Sequence, residues 1–195
     1  HIGIALLSHQ LGYFDILPLY VALMLTAPLL AIIDRYVPSL LLPASLGLYF
    51  VSLVVPLTIP AWPVEGQWYF NPLCWQLIFV LGLLMSRDTG IGGWVRRHIV
   101  AIRWAALPIV LLAMVFVLTG GTWIDPTKMP SPKLLFINGK TFATPIRVIQ
   151  FLALVAVMSV VYPYIARAVP NFVKYPSMLG RNSLEVFCAA SLLSL

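Results

Sequence analysis

The residues able to do chemistry are few, and they lie between long apolar runs. His9, Asp15, Trp68, Asn71, Gln76, Arg147 and Gln150 are the main set. A His beside a carboxylate is the arrangement in which one group takes a proton and the other orients it. An Arg holds a carboxylate through two parallel N–H bonds. Indole rings offer a stacking face and one N–H donor. On these grounds His9 and Asp15 are the catalytic candidates. Trp68, Asn71, Trp75, Gln76, Arg147 and Gln150 are the candidates for substrate binding. A second set, Arg96, Arg97 and Arg103 with His98 among them, is basic. It reads either as a positive-inside topology signal or as a dock for an anionic cytosolic donor, such as the phosphates of an acyl-CoA. No complete catalytic signature accompanies them: there is no Gly-x-Ser-x-Gly elbow, no His-Glu-x-x-His and no Cys-x-x-Cys. Gly139-Lys140-Thr141 lacks the upstream glycine of a phosphate loop. No metal site and no bound cofactor are expected.

The elements that must position these residues are membrane helices. The chain has 195 residues, 61% hydrophobic and 9% charged, with mean hydropathy +0.97. Soluble domains carry about 25% charged residues. The bilayer is therefore the first partner, and the net charge of +6 is no argument for nucleic acid. Cys74 and Cys188 both lie in apolar runs and read as buried small hydrophobes. The organising stretch is 66–82, Gly-Gln-Trp-Tyr-Phe-Asn-Pro-Leu-Cys-Trp-Gln-Leu-Ile-Phe-Val-Leu-Gly. Trp68, Tyr69 and Phe70 suit a membrane–water boundary. Asn71-Pro72 is a helix start, since Asn caps orphan N–H groups and Pro needs no donor in the first turn. Gln76, one turn below, and the indoles of Trp68 and Trp75 would line a pocket at the mouth of that helix. Interfacial anchoring explains the same rings.

A bilayer core needs about 20 apolar residues in a helix. The expected spans are about 16–33, 38–59, 67–86, 104–121, 147–166 and 182–195, the last one truncated. The fold class is thus all-α, a single polytopic transmembrane bundle with five complete spans. A barrel is excluded because period-2 alternation is absent. A break is expected near Pro56. The glycines of 90–93 read as a flexible turn, 167–181 as a loop, and Asn182-Ser-Leu-Glu185 as a capping box. Alternation puts Arg35, Arg87, Arg96, Arg97, Arg103, Arg167, Lys174 and Arg181 on one side. Lys128, Lys133, Lys140 and Arg147 fall on the other, and together these are all 12 cations. The richer side is the cytoplasmic one. Asp15, Trp68, Asn71 and Arg147 then lie at the outer face.

Three separated blocks carry a resemblance. Tyr-Phe-Asp-Ile-Leu-Pro-Leu-Tyr (13–20), Phe-Asn-Pro-Leu-Cys-Trp-Gln-Leu-Ile-Phe-Val-Leu-Gly (70–82) and Leu-Gly-Arg-Asn-Ser-Leu-Glu-Val-Phe-Cys (179–188) resemble the OpgC family. Those are multi-pass proteins of the bacterial inner membrane required for succinylation of osmoregulated periplasmic glucans. The last block is also similar to a late signature of the broader membrane acyltransferase-three family. It departs from that signature at Leu184 and Phe187, which stand for two tyrosines, and at Ala190, which stands about where a His falls. The wider family's early Arg-Gly and His signature has no match, which leads to the expectation that the chain is a fragment.

The resemblance implies an O-acyltransferase that moves a succinyl group from a cytosolic donor, succinyl-CoA, to hydroxyls of a periplasmic glucan. Arg96, Arg97 and Arg103 would hold the donor and the outer aromatics would stack on sugar rings. Two rivals stay open: a transporter or flippase, whose clue would be helices broken near Pro28 or Pro56, and a non-catalytic membrane subunit.

Overall fold

The computed structural model describes residues 16–55, 57–60, 68–120, 133–135, 141–183, 185–186 and 189. They form α1 (Ile16–Tyr36), α2 (Pro38–Val54), α3 (Pro72–Met85), α4 (Gly90–Arg97) and α5 (Ile99–Leu118). A short 3-10 turn at Lys133–Leu135, α6 (Pro145–Ala168) and α7 (Pro170–Arg181) follow. No β-strand occurs among the described residues, as the apolar runs require.

Three helices, α1, α5 and α6, are long and apolar enough to cross a membrane. The expected count of five complete spans is not reached on that measure. The runs 38–59 and 67–86 contribute helices of only 17 and 14 residues. α2 ends at Val54, two positions ahead of Pro56, and α3 begins at Pro72 behind its Asn71 cap. The sixth run, 182–195, lies mostly outside the described residues. The long helices turn apolar faces outward, including Leu25, Leu29 and Ile32 on α1 and Leu112, Val117 and Leu118 on α5. Such continuous exposed apolar surface is stable against lipid and not against water.

Pro28 does not break α1, and Pro108 and Pro163 lie within unbroken α5 and α6. Among the described residues only the gap after α2 matches the interruption expected of a transporter. Two segments read as irregular are helical. Pro170 opens α7, because a residue with fixed φ and no N–H fits a first turn. The second is α4. Its glycines serve close approach: a Cβ on Gly92 would fall on the Arg87 carbonyl oxygen and within 2.8 and 2.9 Å of those of Leu84 and Met85. α4 is thereby folded against the last turn of α3. Asn182 closes α7 with its amide donating to the Met178 carbonyl at 3.2 Å, and its own carbonyl accepts from the Val186 N–H at 3.0 Å.

α1, α2 and α3 pack together, and α5 pairs with α6. The α5–α6 contact is built on Ala106, Ala153 and Ala156. Small side chains let two backbones approach closely where lipid gives no hydrophobic drive to helix pairing. The first turns of α6 join the other group, because Val148 packs with Tyr49, Leu53, Cys74 and Leu77.

Candidate functional site

The α2–α3 seam is polar at its centre. Ser45, Tyr49 and Ser52 recur at i, i+4 and i+7 and are all buried on one face of α2. Ser45 Oγ donates to Gln76 Oε1 at 2.8 Å, and Gln76 Nε2 returns a bond to the Ser45 carbonyl at 2.9 Å. Gln76 is 9% exposed, and this reciprocal pair occupies both ends of its amide. Ser52 Oγ lies 3.0 Å from Cys74 Sγ and donates to the Tyr49 carbonyl at 2.8 Å. Cys74 is a buried free thiol, as its apolar setting implies, and Cys188 lies outside the described residues.

At the end of this seam the chain is tied into a knot. Asn71 caps α3, its Oδ1 accepting from the Leu73 N–H at 3.0 Å. Its Nδ2 donates to the Leu57 carbonyl, and its backbone N–H donates to Thr141 at 2.9 Å. Tyr49 reaches the same place, donating to the Ala143 carbonyl at 2.9 Å. Ala143 is buried with φ +43°, a left-handed conformation that a residue with a Cβ rarely takes. The bond from Tyr49 and the start of α6 at Pro145 hold it there. Asn71 is 2% exposed, so its amide belongs to the knot.

Rings surround the knot. Tyr69 meets Phe70 edge-on at 4.9 Å between centroids, and Phe70 meets Trp75 likewise at 5.3 Å. Trp68 donates its backbone N–H to the Ile59 carbonyl at 2.9 Å. Its indole Nε1 is buried and has no hydrogen-bond partner among the described residues. Arg147 and Gln150 occupy the first turns of α6, on the same end of the bundle, and both are partly buried. Trp68, Asn71, Trp75, Arg147 and Gln150 therefore gather at one end, and Gln76 lies buried one turn further in. His9 and Asp15 lie outside the described residues.

The basic candidates sit at the opposite end. Arg87, just past α3, pairs with the buried Asp34 near the end of α1. Arg96 donates to the Arg87 carbonyl and lies 3.2 Å from Asp88. It thus neutralises orphan carbonyls beyond α3, where a cation also opposes the helix dipole. Arg97 is exposed, and Trp94 stacks on His98 at 4.7 Å. Arg103, one turn into α5, donates to Ser159 Oγ of α6 at 3.1 Å, and its Nε is buried without a partner among the described residues. Pro163 lacks the N–H that would bond the Ser159 carbonyl, so a backbone acceptor is freed beside this pair. Of the three basic candidates, Arg96 is committed to the α3–α4 corner, while Arg97 and Arg103 retain donors.

A family model described as OpgC protein matches residues 2–195. The chain belongs to the OpgC family. No curated protein and no solved structure matches it. OpgC membership suggests a role in glucan modification. The three helices long enough to span fit the membrane association of the family.

Sequence reasoning missed Ser45, Tyr49, Ser52 and Ala143. Ser45, Tyr49 and Ser52 left a signal in their i, i+4, i+7 spacing, opposite Cys74 and Gln76. Nothing in the sequence marks Ala143, because Ala is not a residue type that predicts positive φ.

Proposed function

We propose that this OpgC protein transfers an acyl group, succinyl, from an acyl-CoA to hydroxyls of a periplasmic glucan. The observation that carries the reading is the division of the two candidate sets between opposite ends of one bundle. Rings, an unpartnered indole N–H and Arg147 stand at one end. Arg97 and Arg103 stand at the other. A glucan offers hydroxyls and flat sugar faces, which suit the first set. A CoA thioester offers phosphates, which suit the second.

In this reading His9, oriented by Asp15, takes the proton of a sugar hydroxyl. The hydroxyl oxygen attacks the thioester carbonyl, and N–H donors stabilise the tetrahedral oxyanion. Collapse breaks the C–S bond, leaves the ester on the sugar and releases the CoA thiolate, which takes up a proton. Arg147 and Trp68 hold the acceptor and the succinyl carboxylate. Asn71 and Gln76 act indirectly, by fixing the mouth of α3.

The test uses cells lacking their own copy, complemented with the full-length protein, and reads the anionic charge of extracted glucans. Asp15→Asn and Arg147→Gln should each abolish that charge while protein levels in the membrane stay normal. Full charge on the glucans from both variants would overturn the assignment of this end as the acceptor site.

A further inference from the structure

α7 is unlike every helix before it. Phe172, Tyr175 and Leu179 fall at i, i+3 and i+7 and share one face, and all three are exposed. Lys174 and Arg181, also seven residues apart, fall on the opposite face and form no ion pair among the described residues. No residue of α7 is buried.

Its position decides what covers that apolar face. One residue, Val169, separates α7 from α6, which is long and apolar enough to cross a bilayer. The last turns of α6 carry exposed Tyr162 and Tyr164 and then Arg167, the residue types that mark a membrane–water boundary. Trp94 of α4 is exposed toward the same end: α4 leads into α5, whose Arg103 meets Ser159 in the second half of α6. An amphipathic helix leaving a span at that boundary has lipid on one side and water on the other. We propose that α7 lies in the plane of the membrane surface, Phe172 and Leu179 among the acyl chains, and gathers anionic lipid phosphates at Lys174 and Arg181. This goes beyond the acyl-transfer reading and does not depend on it. Charge selects the occupant: a basic face beside an apolar one fits a lipid that joins an anionic headgroup to acyl chains.

The test uses full-length protein in vesicles of equimolar phosphatidylglycerol and phosphatidylcholine, with Cys188 replaced by Ala. A fluorophore on Leu179→Cys should be quenched by brominated acyl chains, and one on Ser177→Cys by aqueous iodide. Spin-labelled phosphatidylglycerol should be preferred over phosphatidylcholine at the protein surface. In Lys174→Gln/Arg181→Gln that preference should fall, by up to about fivefold per cation removed, and raising salt should weaken it in the unsubstituted chain. Iodide quenching at both positions would put the helix in water and overturn the proposal. A label at 179 reached by neither quencher would mean a protein partner covers the face, which also overturns it. Unchanged lipid preference in the double variant would remove the headgroup role.

Discussion

Replacing Gly92 by Ala separates a packed corner from a flexible turn. The added methyl would collide with the Arg87 carbonyl oxygen and press on those of Leu84 and Met85, at 2.8 and 2.9 Å. None of these is the end of a side chain that can swing away. Overpacking of this kind costs about 1–3 kcal/mol. Moving α4 also pulls Arg96 from the Arg87 carbonyl, and a hydrogen bond from a charged donor contributes about 1.5–3 kcal/mol. The expected loss is at least about 2 kcal/mol, a fall in Tm of about 4–8 °C or more for a chain of this size. Gly82→Ala is the internal control. Nothing lies within 4 Å of a Cβ at that helical position, so the substitution should stabilise by about 0.5–1 kcal/mol through helix propensity. Thermal unfolding of the purified protein in detergent, followed by helical circular dichroism, measures both. A Gly92→Ala protein that melts with the unsubstituted chain, or above Gly82→Ala, would refute the packed corner.

Ser45→Ala and Gln76→Leu should each destabilise by about 1–2 kcal/mol, and the double variant by clearly less than their sum, since either change strands the same partner; unfolding of all three gives the coupling. Tyr49→Phe should cost about 1 kcal/mol by leaving the Ala143 carbonyl without its donor, again read from the melting temperature. On intact cells, Ser131→Cys should react with a membrane-impermeant thiol reagent and Thr89→Cys should not; the reverse pattern would invert the orientation. Arg103→Gln should raise the KM for the acyl-CoA more than it lowers kcat, and Arg96→Gln should lower stability instead, which steady-state kinetics and melting together resolve.

The helix start at Asn71-Pro72 was legible because cap chemistry is local: Asn accepts from an N–H two residues on, and Pro needs none. The all-α class was legible for a similar reason, since an uncharged run in lipid must satisfy its own backbone. The corner at 90–97 was not. Gly-Ile-Gly-Gly is the same string whether it frees the chain or lets another backbone come close, and only the partner carbonyls decide. The loop read at 167–181 was not legible as a helix for a related reason: Pro170 opens α7 from its first position and Pro176 lies inside it without ending it, and spacing alone does not say which role a proline takes. The binding roles of Asn71 and Gln76 rested on residue type. Type could not reveal that Leu57, Thr141 and Ser45, distant in sequence, take up their polar atoms.

The shortness of α3 bears on how two water-soluble substrates on opposite sides of a membrane could react. Fourteen residues make a rod of about 21 Å, while a hydrocarbon core is about 30 Å thick. α3 thus covers only part of that thickness between the knot of Asn71 and the corner of Arg87. In the proposed reaction a donor anchored by its phosphates at the corner would thread its thioester arm along the seam and deliver the succinyl carboxylate to Arg147. Neither the polyanion nor the sugar chain would have to leave its own compartment. Under the proposed reaction, acylation across the bilayer would then be a question of reach, not of transport, and the bundle would need no cycle of opening to one side and then the other.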